Sequence, residues 1–212
     1  MDKYLKSTVY LNYKIKAIQE LIAPYNNNEL TNKEKAIALY LKIRDAWWYD
    51  PYTISLSENS YKASVIAKKN TGNCVEKSVL LVACLRGVGI MARLHLGKVK
   101  NHIAVERLTE KFGTNELTPH GMVSVFLGGK WLKLSPAFNK DLCQKFKIPP
   151  LNFDGENSSY LQQYNSEGSL FMEYLEDYGY FDDVPLTFMK QNVIEHYPHI
   201  FNTYKGISEF RL

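Results

Sequence analysis

The sequence predicts an α+β protein, because helical patterns dominate its first part and strand patterns follow. Up to Gly89, apolar residues recur at the three-to-four spacing of buried helix faces. After Gly89, short β-competent stretches flank Gly128–Gly129, a pair typical of a hairpin turn. Helices that precede an antiparallel sheet in this way are characteristic of the α+β class.

Length and composition indicate an ordinary globular domain. The chain has 212 residues, of which 45% are hydrophobic and 23% are charged, and this excludes disordered, collagen-like and coiled-coil descriptions of the whole chain. One domain over residues 1–212 is expected at this length. We expect its core at about residues 31–140, with the N-terminal helical segment and the extension 141–212 packed on it.

Charge and cysteine usage exclude several classes of partner and site. The net charge is only +4 and no basic run exceeds three residues, whereas nucleic-acid binders carry clustered basic faces. The three cysteines lack C-x-x-C spacing, so neither a disulfide framework nor a zinc ribbon is expected. No stretch approaches the apolar length of a membrane span, and the N-terminus lacks a signal-peptide pattern. We therefore expect a cytoplasmic protein without a nucleic-acid or membrane partner; no pattern indicates an oligomeric state.

Two helices are predicted before the first glycine-rich turn. Tyr10–Ile22 carries apolar residues at nearly helical spacing. Thr31 and Glu34 form a capping box that predicts the start of a second helix. This helix should end near Trp47–Trp48, because Pro51 disfavours helical backbone at the preceding residue. These aromatic residues either line a groove or fill the core, and the core is expected for at least one tryptophan.

A third helix is predicted to be buried on most of its surface. Asn73 is its expected N-cap and Glu76, three residues later, completes a second capping pair. The run Val79–Leu85 is almost continuously apolar, and Gly87 and Gly89 close the helix.

Three strands and one further helix are predicted next. Ile90–Val99 alternates, Gly121–Leu127 is β-competent, and Lys130–Leu134 follows the glycine pair as its hairpin partner. In the extension the pattern weakens, and Leu170–Tyr178 is predicted as a helix on an acidic and aromatic background.

Cys74 is the strongest candidate for chemistry. It lies at the start of the buried helix, where backbone N–H groups lack helical partners and the helix dipole is positive. Such a position stabilises a thiolate and lowers the thiol pKa, and the same N–H groups can hold an oxyanion. The alternative is an inert buried cysteine, which is the interpretation for Cys84 in the same helix.

His120 is the predicted base for this nucleophile. It opens a predicted strand, where its side chain can point off the sheet edge toward a helix N-terminus; the alternative is a surface histidine at a loop-to-strand junction. His95 is expected to be packed within a strand, and His102 to serve a loop or a site. His196 and His199 are expected at the surface. No histidine pair has the spacing of a helical metal site, so no metal is expected.

Four motifs in order resemble the core of the transglutaminase-like superfamily. They are Gly72–Cys74 at the helix start, Leu85–Arg93 leading into the sheet, the histidine strand His120–Phe126, and the tryptophan strand Gly129–Leu134. The resemblance covers about residues 36–140 and implies a papain-like fold in which a nucleophile helix packs on an antiparallel sheet. Segments of the extension are similar to an uncharacterised bacterial branch of these proteins.

One position departs from the family pattern. The residue before Pro136, where the resemblance implies a catalytic aspartate, is Ser135. The imidazole of His120 needs a partner that holds its far nitrogen, and an amide oxygen suffices in papain-like sites. Among the candidates Asn139 is favoured over Ser135, with Asp154 third. Alternatively, Asn139 caps the next helix and Asp154 makes its own turn.

The resemblance implies cysteine-dependent acyl transfer on a peptide or protein amide. Cys74, His120 and Asn139 are the expected catalytic residues, and no metal or organic cofactor is expected. Hydrolysis is favoured over transamidation onto an amine. A catalytically inactive binding module is the alternative from another class, because the family aspartate is missing.

Overall fold

The computed structural model describes residues 2–55, 57–204 and 209–212. Its α-helices are α1 (Lys16–Ile22), α2 (Asn32–Ala46), α3 (Ala63–Ile66), α4 (Cys74–Gly87), α5 (Val105–Phe112), α6 (Lys140–Lys145), α7 (Leu186–His196) and α8 (Pro198–Thr203). Its strands are β1 (Trp48–Tyr49), β2 (Thr53–Ser55), β3 (Thr71–Gly72), β4 (Ala92–Asn101), β5 (Glu116–Leu127), β6 (Lys130–Leu134), β7 (Met172–Phe181) and β8 (Glu209–Arg211). The predicted α+β class is confirmed.

The main sheet is antiparallel, with strand order β6–β5–β4–β7. The predicted hairpin joins β5 to β6, and its turn residues Gly128 and Gly129 both have positive φ, 56° and 82°. Glycine adopts these angles without the steric cost that a Cβ atom would bring. Two small strand pairs lie outside this sheet, β1 with β3 in parallel and β2 with β8 in antiparallel orientation.

Helix α4 packs against the sheet and is buried along almost its whole length. Every residue from Cys74 to Arg86 is buried, so its polar side chains need partners inside the protein. The ammonium group of Lys77 donates to the backbone carbonyls of Arg44, Trp47 and Ala137 at 2.7–2.8 Å. Lys77 thereby ties α4 to the end of α2 and to the chain just after β6.

Both predicted capping boxes are confirmed. In α2, the Thr31 hydroxyl accepts the Glu34 backbone N–H, and the Glu34 carboxylate accepts the Thr31 N–H. In α4, the carboxylate of Glu76 accepts the backbone N–H of Asn73 at 3.0 Å, reciprocating the cap that Asn73 provides. These bonds join residues three positions apart in the chain, which is why the local sequence predicts them.

The prediction of a helix over Tyr10–Ile22 is wrong in its first half. Helix α1 begins at Lys16. The backbone carbonyl of Tyr10 instead accepts the N–H of Ala63 at 2.8 Å, and the side chain of Asn12 bonds Ser64. These long-range bonds hold the segment against α3 in a non-helical conformation.

The prediction of a helix over Leu170–Tyr178 is also wrong, because Met172–Phe181 is strand β7. It pairs antiparallel with β4, from Leu94 opposite Phe181 to Asn101 opposite Met172. The other edge of β4 is paired with β5, so β7 satisfies backbone groups that would otherwise be open. The extension therefore supplies a strand to the main sheet.

A polar cluster on the sheet fastens β7 to its neighbours. His95 is packed within β4, as predicted, with Nε2 2.7 Å from Asp177 Oδ1 and Nδ1 3.1 Å from the Ser124 hydroxyl. Lys133 donates to the other oxygen of Asp177 at 2.9 Å. Burial raises the pKa of Asp177, but the bonds from Lys133 and His95 outweigh this and lower the pKa to about 2. Asp177 therefore links β7 to β4 and β6 through its side chain.

Candidate functional site

Cys74 lies where the sequence places it, at the first turn of α4. It follows the N-cap Asn73 directly and is 8% exposed. Its side chain lines a cavity of about 80 Å³ whose walls are mostly apolar. The backbone N–H groups of Gly121, Val75 and Cys74 lie near enough to the thiol to favour its charged form. The thiol therefore lies at a small cavity, whereas Cys84, 0% exposed within the same helix, does not line it.

Gly121 brings strand β5 onto the start of α4. A Cβ atom built on this glycine would lie 2.5 Å from the Cα atom of Val75 and 2.7 Å from the carbonyl oxygen of Cys74. Real Cβ contacts of this length do not occur, so the close approach of strand and helix requires glycine here. His120 is the residue that precedes this contact in β5.

His120 is buried at 2% exposure, and it does not open its strand as predicted. Strand β5 begins four residues earlier, at Glu116, which pairs with Lys100 of β4. The Nδ1 atom of His120 is buried without a hydrogen-bond partner among the described residues. Burial lowers the pKa of His120 to about 4, because the protonated ring would lose its hydration. The imidazole is accordingly neutral at pH 7.

The predicted low pKa of Cys74 is wrong. Burial raises the pKa of this thiol to about 11, and the backbone N–H groups of Gly121 and Val75 lower it by less than burial raises it. The helix-start position thus does not outweigh desolvation. Burial therefore favours the neutral thiol of Cys74 and the neutral imidazole of His120.

The predicted oxyanion donors at the helix start are partly occupied. The side-chain oxygen of Asn73 accepts the backbone N–H groups of Val75 and Glu76, each at 3.0 Å. The N–H of Cys74 is not among the groups that Asn73 caps. The Asn73 side chain therefore leaves the N–H of Cys74 available to another acceptor.

The three candidates for the third residue make other bonds. The side-chain oxygen of Asn139 accepts the backbone N–H of Tyr49 at 3.2 Å, and Asn139 makes no side-chain cap to α6. Asp154 accepts N–H groups from its own turn, as its alternative interpretation predicts. Over the described part of the chain, no hydrogen bond joins Asn139, Ser135 or Asp154 to His120.

The C-terminal helix α7 forms part of the wall of the Cys74 cavity, which the sequence patterns did not reveal. Leu186 and Met189 of α7 and Tyr197, the residue between α7 and α8, line it. The hydroxyl of Tyr197 accepts the N–H of Thr118 at 2.8 Å and donates to the carbonyl of Glu116 at 2.9 Å. No motif surrounds Tyr197, so no signal in the sequence links it to residues about eighty positions earlier.

The neighbouring aromatic residues separate into core and surface. Trp47 is 6% exposed, and its indole N–H donates to the carbonyl of Ile66 at 3.0 Å. Trp48 is 46% exposed. Core packing is therefore confirmed for one tryptophan, as predicted, and the other faces solvent.

Neither a metal-binding cluster nor a membrane-spanning helix is found in the part of the chain that the structure describes. Residues 2–55, 57–204 and 209–212 contain no group of three or more His, Cys, Asp or Glu side chains arranged to hold a metal ion. Within the same ranges, no helix combines the length and the apolar character needed to cross a bilayer.

Comparison with known families identifies the core of the chain. The model of the transglutaminase-like superfamily matches residues 19–136, which is more than half of the chain. The chain belongs to the transglutaminase-like superfamily. The resemblance of the four motifs is thereby confirmed, and the match contains Cys74 and His120. Strand β7 and helices α7 and α8 lie outside it.

One solved structure is similar to part of this chain. It is described as "a Putative Cysteine Protease from Cytophaga hutchinsonii", and it is 20% identical with a TM-score of 0.45. The similarity covers 63% of the present chain and 40% of the solved one. The present chain therefore spans well under two thirds of the length of the solved chain. No curated protein matches. Superfamily membership supports the general kind of activity that the motifs imply, a cysteine-dependent reaction.

Proposed function

We propose that this transglutaminase-like protein hydrolyses amide bonds in a peptide or protein through Cys74. The observation that carries the proposal is the placement of this thiol at the first turn of a buried helix, on the wall of a small apolar cavity. The N–H of Gly121, which lowers the pKa of the thiol, supports it further, as does the position of His120 directly before that glycine in β5. A cavity of about 80 Å³ suits a small apolar side chain of the substrate.

The neutral resting pair favours general-base activation of the thiol. His120 removes the thiol proton as the sulfur of Cys74 attacks the substrate carbonyl carbon, and the oxygen that gains negative charge accepts the N–H of Cys74. The carbon–nitrogen bond then breaks, and the amine leaves with the proton from His120. Water, deprotonated by His120, attacks the resulting thioester and releases the acid and the free thiol.

The proposal is tested with a library of short peptides linked through an amide to a fluorescent aminocoumarin. We expect the wild-type protein to release the fluorophore, and Cys74→Ala and His120→Asn to lose this activity. Cys84→Ala is the matched control, because its thiol lies in the same helix away from the cavity, and this variant should keep the activity. Release by Cys74→Ala at the wild-type rate would refute the proposal.

Water and amine acceptors are distinguished in the same assay. A primary amine such as biotin-pentylamine is added, and the products are analysed by mass spectrometry. Free acid as the main product supports hydrolysis, whereas incorporation of the amine would favour transamidation instead.

A binding module without catalysis is the second candidate function. The specific observation in its favour is that Ser135 occupies the position of the family aspartate, while the pKa of Cys74 is raised and that of His120 lowered. If this function is correct, no peptide amide is turned over, and Cys74→Ala binds peptides as tightly as the wild-type protein does.

A further inference from the structure

A second cavity lies beside the Cys74 cavity and is larger, with a volume of about 280 Å³. The two cavities share Tyr49, Pro51 and Leu117 in their walls. The larger one approaches the size of pockets that bind small molecules, about 300 Å³ and above. It is therefore large enough for one aromatic ring with a short polar substituent.

The walls of this second cavity are rich in aromatic residues. Phe138 lies between two other lining rings, with centroids 4.8 Å from Tyr49 and 5.5 Å from Phe171. Two aromatic side chains that line the cavity are also exposed to solvent, Trp48 at 46% and Phe146 at 40%. Exposed aromatic side chains around an apolar cavity are typical of a surface that binds a ligand.

The charges that line the cavity leave a positive excess. The buried carboxylate of Asp50 accepts hydrogen bonds from the Tyr52 N–H and the Thr53 hydroxyl, and Arg211 lies 3.6 Å from it. Its charge is thus already compensated. The other two charged lining residues, Arg107 and Lys145, have no carboxylate within 4.0 Å over residues 2–55, 57–204 and 209–212.

Arg107 is held in position by an aromatic ring. Its guanidinium carbon lies 4.7 Å from the centroid of the Tyr52 ring, and the other partner of that ring is Phe112, at 6.2 Å between centroids. A guanidinium that stacks on a ring keeps its N–H groups free for an anion, and its planar shape matches a carboxylate.

We propose that this second cavity binds an aromatic carboxylate, with the ring among the aromatic side chains and the carboxylate near Arg107 and Lys145. The apolar walls contact the ring of the ligand. The two cations, which have no carboxylate partner of their own, attract its carboxylate. The inference does not depend on catalysis by Cys74, because it concerns a separate cavity and rests on binding alone.

The test uses N-acetyl-L-phenylalanine as the ligand and N-acetyl-L-phenylalanine amide as its uncharged counterpart. Binding of each is measured by isothermal titration calorimetry at low ionic strength, with the full chain carrying Cys74→Ala so that no turnover interferes. We expect the acid to bind about tenfold more tightly than the amide. This corresponds to two partly exposed charge contacts of about threefold to fivefold each.

Variants of the exposed residues locate the site. Arg107→Gln and Lys145→Gln should each weaken binding of the acid by about threefold to fivefold and leave binding of the amide unchanged. Arg107→Lys should retain most of the affinity for the acid. Trp48→Ala should weaken both ligands to a similar extent, because it removes a contact with the ring.

Lys130→Gln is the matched control, since this exposed lysine lies in the β5–β6 hairpin and does not line the cavity. It should change neither affinity. Equal affinities of the acid and the amide, affinities unaffected by Arg107→Gln and Lys145→Gln, or no binding of either ligand in the millimolar range would each overturn the proposal. Failure of the peptide hydrolysis assay would leave these expectations unchanged.

Discussion

The carbonyl oxygen of Cys74 lies 2.7 Å from the position that a Cβ atom would take on Gly121. The N–H of the same glycine lowers the pKa of the Cys74 thiol, although burial raises it by more. Strand β5 and the first turn of α4 therefore meet backbone to backbone at the candidate nucleophile. The position of the thiol depends on this contact as much as on the helix itself.

Gly121→Ala is expected to destabilise the protein by about 1–3 kcal/mol, the usual cost of overpacking. The added methyl group would meet backbone atoms of Cys74 and Val75, which cannot move without displacing α4 or β5. The free energy of unfolding in urea measures the effect. We also expect loss of any activity that depends on Cys74.

Gly87→Ala is the comparison variant, and we expect it to lose less stability than Gly121→Ala. A Cβ atom at Gly87 would lie 2.7 Å from the Cδ1 atom of Ile22, which is the end of a side chain that can rotate. Alanine also favours the helical conformation over glycine. A larger loss of stability for Gly87→Ala than for Gly121→Ala would contradict this account of the contact.

Cys74 should react slowly with iodoacetamide at neutral pH. Burial raises its pKa to about 11, so the thiolate is a very small fraction of the thiol at pH 7, and the rate should rise about tenfold per pH unit up to about pH 10. Peptide mapping by mass spectrometry measures the rate for each cysteine. Cys74 should react before Cys84 and Cys143, which are 0% and 1% exposed.

Cys74→Ser is the control that assigns the fastest alkylation to Cys74, because it removes this thiol and leaves the other two in place. Rapid alkylation of Cys74 at pH 6 with no further rise toward pH 9 would contradict the expected neutral pair. It would indicate a thiolate stabilised by a protonated His120.

His120 should make stability fall as the pH decreases from 6.5 to 4. In the unfolded chain the imidazole takes up a proton near pH 6.5, whereas burial lowers the pKa of folded His120 to about 4. Between these values the unfolded state binds more protons, so acid favours unfolding. The stability contribution is fully present above pH 6.5, and the total loss is about 3 kcal/mol.

Urea unfolding of the wild type and His120→Gln across this pH range measures the effect. The variant should lose less stability than the wild type between pH 6.5 and 4, whatever its stability at pH 7. His199→Gln, which changes an exposed histidine, is the control and should follow the wild type. Parallel pH profiles of His120→Gln and the wild type would rule out this role for His120.

Asn73→Ala should destabilise the protein by about 2 kcal/mol, the upper end of the range for capping residues. The Asn73 side chain accepts two N–H groups of a buried helix, and water cannot easily replace it there. Thr31→Ala removes the equivalent cap from α2, whose start is exposed, and should cost about 1 kcal/mol. Thermal unfolding of both variants tests which substitution costs more stability. A smaller loss for Asn73→Ala than for Thr31→Ala would contradict the prediction.

Local sequence was sufficient to predict a structural feature wherever its stabilising contacts join residues a few positions apart. The capping boxes of Thr31 and Asn73, the hairpin at Gly128–Gly129 and the burial of α4 were all predicted in this way. The position of Cys74 at a helix start belongs to the same group. Its pKa does not, because the dipole of one helix turn is local whereas desolvation depends on everything packed around the thiol.

The sequence by itself determined the α+β class, helices α2 and α4, the hairpin and the superfamily, because periodicity, caps and motifs are properties of neighbouring residues. The tertiary structure alone decided that Met172–Phe181 is a strand, since only pairing with β4 makes it one. It also decided that the side-chain oxygen of Asn139 accepts the N–H of Tyr49, and that helix α7 lines the cavity of Cys74. These contacts join residues far apart in the chain, and their energies depend on burial that no local pattern records.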